Sequence, residues 1–175
     1  MDKIIIGFSR PRAWFSPFSW LICAVDRSPF SHVYFVVHSD EYDRDLVFQA
    51  SGLYVNFFSH AIFDSREIVH REFVIPISTE TKTRVMQFTM DSVGLRYGLA
   101  GALGIGWVKL CALFGKRVVN PFDRSGSTYW CSKIAARVMV EFLGDKIDGD
   151  PCSMTPTDLY NYLAAHPADA GWTGF

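Results

Sequence analysis

Short runs of β-branched and aromatic residues dominate the first half of the chain. Every residue between His32 and His38 is apolar or aromatic, and these residue types are enriched in strands. Three consecutive isoleucines at 4–6 are typical of a strand that is covered on both faces. Short polar turns separate the runs, and such connections favour antiparallel neighbours. The pattern therefore predicts a buried strand at residues 3–9 and an antiparallel meander of strands at residues 32–38, 46–50, 53–57 and 67–77.

The periodicity changes from residue 79 onwards, where apolar positions recur every two to four residues, as on one face of a helix. Ser16-Pro17 and Thr155-Pro156 each have the form of a helix start. The hydroxyl can accept from the free amides of the first turn, and proline needs no N–H there. Gly144 is the expected C′ residue of another helix. The predicted helices cover residues 17–26, 79–95, 98–115, about 127–143 and 156–164, with a loop at 118–126.

The order of the elements, mainly strands followed by helices, predicts an α+β fold in which the antiparallel sheet packs against several helices. The chain has 175 residues, which lies within the usual size of one domain. No repeat, low-complexity tract or linker interrupts it. We therefore expect residues 1–175 to form a single domain.

Composition and charge exclude several classes of protein. With 49% hydrophobic residues, the whole chain cannot be described as disordered. Seventeen Lys and Arg against 18 Asp and Glu give a net charge of −1, without the basic stripe of a nucleic-acid-binding protein. No signal peptide is readable at the N-terminus, so the default expectation is the cytoplasm.

One segment, residues 98–115, has the hydrophobicity of a membrane segment. It is marginal in length for a bilayer span, is rich in glycine and carries Lys109 near its centre, which is costly in a bilayer. We expect a buried or surface-lying helix, and membrane contact through this segment is the alternative.

The four cysteines are scattered, with no Cys-x-x-Cys pair, which argues against both a zinc ribbon and a disulfide scaffold. No cluster of His, Cys, Asp or Glu has the spacing of metal ligands, and the glycines at 98–106 lack the setting of a phosphate loop. We therefore expect no metal and no cofactor. Cys23 and Cys111 lie in apolar runs and are expected in the core, whereas Cys152 lies in a polar loop beside acidic residues and is a weak second candidate for a reactive thiol.

Cys131 is the strongest candidate for a reactive thiol. It stands at or just inside the start of the helix predicted from about residue 127, where free N–H groups and the partial positive charge of the helix terminus favour a thiolate. Cysteine is more often a small buried apolar residue, and this alternative stays open at the level of sequence.

A cysteine nucleophile needs a base, and His32 is placed to supply it. It opens a hydrophobic strand directly after Phe30-Ser31, where its ring could reach a cleft at the edge of the sheet. Gln49 lies within the next apolar run, so its amide needs a partner if it is buried. On adjacent antiparallel strands its oxygen could accept from one imidazole nitrogen and orient the other towards a thiol. Exposed positions for both side chains are the alternative.

Four segments together resemble the circularly permuted branch of the NlpC-type papain-like superfamily, which includes the YiiX-type proteins and the lecithin–retinol acyltransferase group. In that branch the histidine and its orienting residue precede the cysteine, which is the order seen here. The segments are Ser-His-Val-Tyr-Phe-Val at 31–36, Val-Phe-Gln-Ala-Ser-Gly-Leu at 47–53, Tyr-Trp-Cys-Ser-Lys at 129–133 and Thr-Pro-Thr-Asp-Leu at 155–159.

The resemblance implies roles for individual residues. Cys131 corresponds to the nucleophile, His32 to the general base and Gln49 to the orienting residue, where many relatives carry an acid or a second histidine. Tyr97 resembles a tyrosine that recurs ahead of the glycine-rich segment and is a candidate polar donor near the oxyanion; a packing role is the alternative. The activity that the resemblance implies is hydrolysis of an amide, such as a cell-wall peptide, or of an ester through a thioester acyl-enzyme.

Two other functions remain open from sequence. A lipid-directed acyltransferase or thioesterase of the same fold would use residues 98–115 as a membrane-contacting helix. A binding module without catalysis would use the surplus aromatic residues as a partner surface. These aromatics are Trp14, Phe15, Phe18, Trp20, Trp172 and Phe175.

Overall fold

A single antiparallel sheet organises the computed structural model, which describes residues 2–13, 16–116, 118, 121, 129–144, 147 and 153–166. Its strands pair in the order β4-β3-β2-β1-β5, and every pairing is antiparallel. The strands are β1 (Asp2–Pro11), β2 (His32–Ser39), β3 (Arg44–Ser51), β4 (Tyr54–Ser59) and β5 (Glu67–Ile77).

Six helices complete the described part of the chain, so the predicted α+β class is confirmed. They are α1 (Pro17–Asp26), α2 (His60–Arg66), α3 (Thr79–Ser92), α4 (Leu99–Leu113), α5 (Cys131–Phe142) and α6 (Pro156–Ala165).

The meander prediction is confirmed for β2 to β4 and is wrong for β5. Strands β1 to β4 lie side by side in chain order, whereas β5 lies beside β1 at the far edge of the sheet. The reason is α2, a helix of seven residues that the hydrophobic pattern did not predict. It contacts β3, β4 and β5, so the chain crosses one face of the sheet on it before β5 begins.

Three helix termini test the sequence prediction: two differ from it and one agrees. Helix α3 ends at Ser92, three residues early, because Gly94 takes a φ of +85° that a helix does not allow. Helix α5 begins at Cys131, since Trp130 is an extended N-cap residue; the positions expected to start it, 127 and 128, and most of the predicted loop at 118–126 lie outside the described residues. Gly144 has a φ of +74° and confirms the expected C′ glycine.

The two predicted proline-containing helix starts behave differently. Thr155 accepts from the Asp158 amide, and the Asp158 side chain accepts from the Thr155 amide, which is a complete capping box. Ser16 makes no side-chain cap hydrogen bond, so that part of the prediction is wrong. Its ψ of 80° lies outside the extended region that N-cap residues usually adopt.

The sheet separates two apolar clusters. Alternate residues of β1, β2 and β3 pack with α5 and α6 in the main core, and Val33, Phe35 and Cys131 belong to it. The opposite face carries a smaller cluster that includes Tyr34, Val36, Val47 and Phe63 of α2. Strands β1 and β2 are therefore covered on both faces, which confirms the reading of the isoleucine run.

Gly7 of β1 permits the closest packing on the α2 face. A Cβ atom at this position would lie within 2.7 Å of three atoms of the Tyr34 side chain. That ring is fully buried, packs on Phe63 at a centroid distance of 4.3 Å and donates a hydrogen bond to Glu72. Any displacement of the ring would therefore disturb the packing on Phe63 or the hydrogen bond to Glu72.

We expect Gly7→Ala to lower the free energy of unfolding by about 1–3 kcal/mol, the usual cost of overpacking a core. Urea denaturation measures the change, and Gly106→Ala is the matched control because a Cβ there meets no atom within 4 Å. Combining Gly7→Ala with Tyr34→Leu should recover part of the loss; strict additivity of the two changes would contradict the packing explanation.

Candidate active site

Cys131 is the first residue of α5 and is buried. Burial raises the pKa of its thiol to about 11, and the charge of Asp26 adds to this rise. Hydrogen bonds from the main-chain amides of Val33, Ser132 and Cys131 itself act in the opposite direction, because they favour the thiolate. The thiol is therefore protonated at neutral pH, although the donors that would stabilise an anion at this place are already assembled.

His32 is held by Gln49, as the sequence predicted. The Nε2 atom of the ring lies 2.6 Å from Oε1 of the Gln49 amide, and Gln49 is buried. An amide oxygen only accepts hydrogen bonds, so Nε2 carries the proton and Nδ1 carries the lone pair. Burial lowers the pKa of His32 to about 4, and the hydrogen bond that His32 donates to Gln49 acts in the opposite direction. The ring is thus neutral at physiological pH and presents a basic Nδ1.

The peptide unit between His32 and Val33 brings the two parts of the predicted site together. The Val33 amide donates to the Cys131 sulfur, and the His32 ring is attached to the neighbouring Cα. No hydrogen bond joins the His32 ring to the Cys131 sulfur within the described residues. Side chains alternate between the two faces of a strand, so the position of His32 belongs to the same face as Tyr34. Val33 belongs to the other face and lies in the same cluster as Cys131.

His32 lies at the end of a strand, which affects how closely its ring can approach the Cys131 thiol. Pairing between β2 and β3 starts only at Phe35 opposite Phe48, so the first residues of β2 lie beyond the paired part of those strands. A general base must come within about 3 Å of the proton that it takes, and such contacts are often long before substrate binds. The direct approach of Nδ1 to the thiol stays a prediction.

A cavity of about 450 Å³ lies against Cys131. Helix α1 forms one side of it and α4 another, and most of the side chains are apolar. The residues that line it are Phe18, Leu21, Ile22, Val25, Asp26, Tyr97, Leu103, Gly106, Trp107, Trp130, Cys131, Ser132, Thr155 and Pro156. His32 and Gln49 are not among these lining residues.

Tyr97 shares the cavity with Cys131, as its candidate role requires. Its main chain is fixed by a hydrogen bond from its N–H to the carbonyl of Leu53 at 2.8 Å. Burial, together with the nearby Cys131 sulfur, raises the pKa of the Tyr97 phenol. The hydroxyl therefore keeps its proton and can act as a hydrogen-bond donor. Its part in catalysis stays a prediction.

Two polar residues of the cavity were missed by the sequence reasoning. Asp26 is the only charged residue of α1, which is the signal that could have identified it. Trp130 immediately precedes the proposed nucleophile and is almost fully buried; nothing in the sequence separates it from an ordinary core tryptophan.

The other cysteines, the surplus aromatic residues and the segment 98–115 were also candidates from the sequence. Cys111 is buried and Cys23 is partly buried, while Cys152 lies outside the described residues, as do Trp14, Phe15, Trp172 and Phe175. Helix α4, within the segment 98–115, has 15 residues. No helix of the described chain is both long and apolar enough to span a bilayer.

Comparison with known proteins identifies a shared fold. No family model matches the sequence, and no curated protein matches it. The chain is similar to the structure of metalloprotein yiiX from Escherichia coli O157:H7, with 16% identity and a TM-score of 0.52 over 99% of this chain and 85% of that chain. The expected likeness to YiiX-type proteins is therefore confirmed for the fold, and membership of the NlpC-type superfamily stays a prediction.

Because yiiX is described as a metalloprotein, the metal donors of this chain matter. A protein metal site normally assembles three or more His, Cys, Asp or Glu ligands. No such group that could hold a metal ion occurs among the residues placed by the structure. The described donors around Cys131 therefore do not assemble a metal site.

Proposed function

We propose that this protein is a cysteine-dependent hydrolase of the permuted papain-like type that cleaves an amide or ester bond through a thioester acyl-enzyme. The observation that carries the proposal is the setting of Cys131. Its sulfur lies at a helix N-terminus among three main-chain amide donors, on the wall of a cavity large enough for an acyl group, beside the strand end that carries the oriented His32.

The reaction starts from two neutral groups. The pKa of the thiol is raised and that of the imidazole is lowered, so a resident thiolate–imidazolium pair is disfavoured. His32 Nδ1 takes the thiol proton as the sulfur attacks the acyl carbon, and the carbonyl bond pair moves onto oxygen. Main-chain N–H groups at the start of α5 stabilise this oxyanion.

Collapse of the tetrahedral intermediate re-forms the carbonyl and breaks the bond to the leaving nitrogen or oxygen. The imidazolium returns its proton to that leaving atom, so His32 is neutral again and the acyl group is bound to Cys131 as a thioester. Water then attacks the thioester with His32 as base, which releases the carboxylic acid and regenerates the thiol. Gln49 holds the ring throughout; as a neutral amide it stabilises imidazolium less than a carboxylate would.

A lipid-directed acyltransferase or thioesterase is the second candidate, and exposed apolar side chains favour it. Trp20, Leu21 and Val25 of α1 and Leu103 and Trp107 of α4 are exposed. Leu21, Val25, Leu103 and Trp107 also line the cavity, so its mouth is apolar. In this candidate the segment 98–115 contacts a lipid surface. The acyltransferase passes the acyl group to an alcohol or amine, whereas the thioesterase passes it to water.

Trapping of the acyl-enzyme tests the proposal. When the protein is mixed with para-nitrophenyl octanoate and quenched in acid, we expect one octanoyl group on the peptide that contains Cys131, removable by neutral hydroxylamine. Mass spectrometry of the digested protein locates it, and Cys23→Ala, which changes a partly buried thiol outside the lining of the cavity, should acylate like the wild type.

The fate of the acyl group separates the candidates. Discharge to octanoic acid supports the hydrolase, whereas discharge mainly to an added alcohol or amine supports the transferase. Absence of any adduct on Cys131, with the protein folded, refutes both and leaves the binding module.

A further inference from the structure

Asp26 places a carboxylate in the otherwise largely apolar cavity beside Cys131. It is the last residue of α1 and lines the cavity. Asp26 and Cys131 line the same cavity, and the charge of Asp26 raises the pKa of the Cys131 thiol. One of its oxygens, Oδ2, is buried and has no hydrogen-bond partner among the described residues.

A buried carboxylate oxygen without a partner is unfavourable in a folded protein, and such atoms in native structures call for an explanation. The indole Nε1 of Trp130, another residue of the lining, is also buried without a partner among the residues described. Two residues of the lining, Asp26 and Trp130, therefore each carry a buried polar atom that has no hydrogen-bond partner among the described residues. Aliphatic and aromatic side chains make up most of the remaining wall.

This pair of groups matches a secondary amide better than an ester. Both substrates offer a carbonyl oxygen that can accept from a donor such as an indole N–H. Only the amide also offers an N–H that can donate to a carboxylate. An ester would place its bridging oxygen near the Asp26 carboxylate, where two acceptors meet and neither is satisfied.

We propose that Asp26 is a specificity-determining residue that accepts a hydrogen bond from the scissile N–H, so that the preferred substrates are acyl amides with an apolar acyl chain. The inference rests on the proposed function, since it assigns a substrate class to the same site. The chain lies between α1 and α4, and the nitrogen lies towards the C-terminal end of α1. A site that discriminates by a buried polar group gains selectivity because the wrong substrate leaves that group unpaired.

Matched substrates test the assignment. Octanoyl para-nitroanilide and para-nitrophenyl octanoate share the acyl chain and differ in the scissile atom. We expect Asp26→Leu to lower kcat/KM for the anilide at least about 10-fold more than for the ester. Asp26→Asn keeps an acceptor oxygen and should restore part of the anilide activity. Asp91→Asn, the same change at an exposed position of α3, should leave the anilide-to-ester ratio unchanged.

A second readout does not depend on turnover. Removing the Asp26 charge should lower the pKa of the Cys131 thiol, so the pH midpoint of its alkylation by iodoacetamide should move down in Asp26→Asn and stay in place in Asp91→Asn. Thermal unfolding establishes that each variant is folded.

The outcomes separate this inference from the proposed function. Only the role of Asp26 is overturned if the protein turns over the ester and the anilide-to-ester ratio is unchanged in both Asp26 variants. The same conclusion follows if the wild type cleaves the ester and never the anilide. A wild type that forms no acyl-enzyme with either substrate overturns the proposed function and this inference with it.

Discussion

Cys131→Ala is expected to lower kcat/KM for para-nitrophenyl octanoate by at least about 1,000-fold, the scale seen when a covalent nucleophile is removed. The three amides around this position and the cavity remain in the variant, so substrate still binds but no thioester can form. The expected signature is therefore loss of kcat with little change in the affinity for octanoate, measured by steady-state kinetics and by isothermal titration with the product.

Two further variants show whether the loss comes from the chemistry. Cys111→Ala changes another buried thiol in α4 and should retain activity near that of the wild type. Cys131→Ser keeps the size of the side chain, but its hydroxyl is a far weaker acid, so its activity should also be low. Turnover by Cys131→Ala above about a tenth of the wild-type rate would show that this thiol is not the nucleophile.

The sheet could be predicted because its strands carry local signals. The predicted bounds of the run at 67–77 agree with β5, because polar residues at 64–66 and 78–81 flank it. The pairing of His32 with Gln49 followed from two neighbouring strands joined by one polar turn. In each case the information lies within one strand or within two strands joined by one short turn.

Other features depended on contacts between distant parts of the chain. Helix α2 has only seven residues and gains its place from Phe63, which packs beneath Tyr34; a single apolar anchor gives no periodicity. The position of β5 beside β1 follows from that helix. The cavity arises where α1 meets α4, two elements about 80 residues apart, so Asp26 had no visible connection with Cys131 until both were placed.

His32→Ala is expected to lower kcat/KM by about 100- to 10,000-fold, the usual contribution of a general base. The thiol pKa near 11 means that very little thiolate exists at neutral pH without a base, so the variant should recover activity as the pH is raised towards that value. Gln49→Ala should cause a smaller loss, because the base remains but its ring is no longer oriented. An activity that is insensitive to His32→Ala across this pH range would exclude the imidazole from the mechanism.

The acid limb of the wild-type pH profile shows which charge state of His32 is active. Burial lowers the pKa of this ring from 6.5 to about 4, and only the neutral ring can accept the thiol proton. Log kcat/KM should therefore be level at neutral pH and fall as the pH drops through about 4, provided that circular dichroism shows the protein still folded. In Gln49→Glu a carboxylate replaces the amide beside Nε2 and favours the imidazolium, which raises the pKa. The limb should then move to higher pH, while a limb that stays in place would mean that another group controls it.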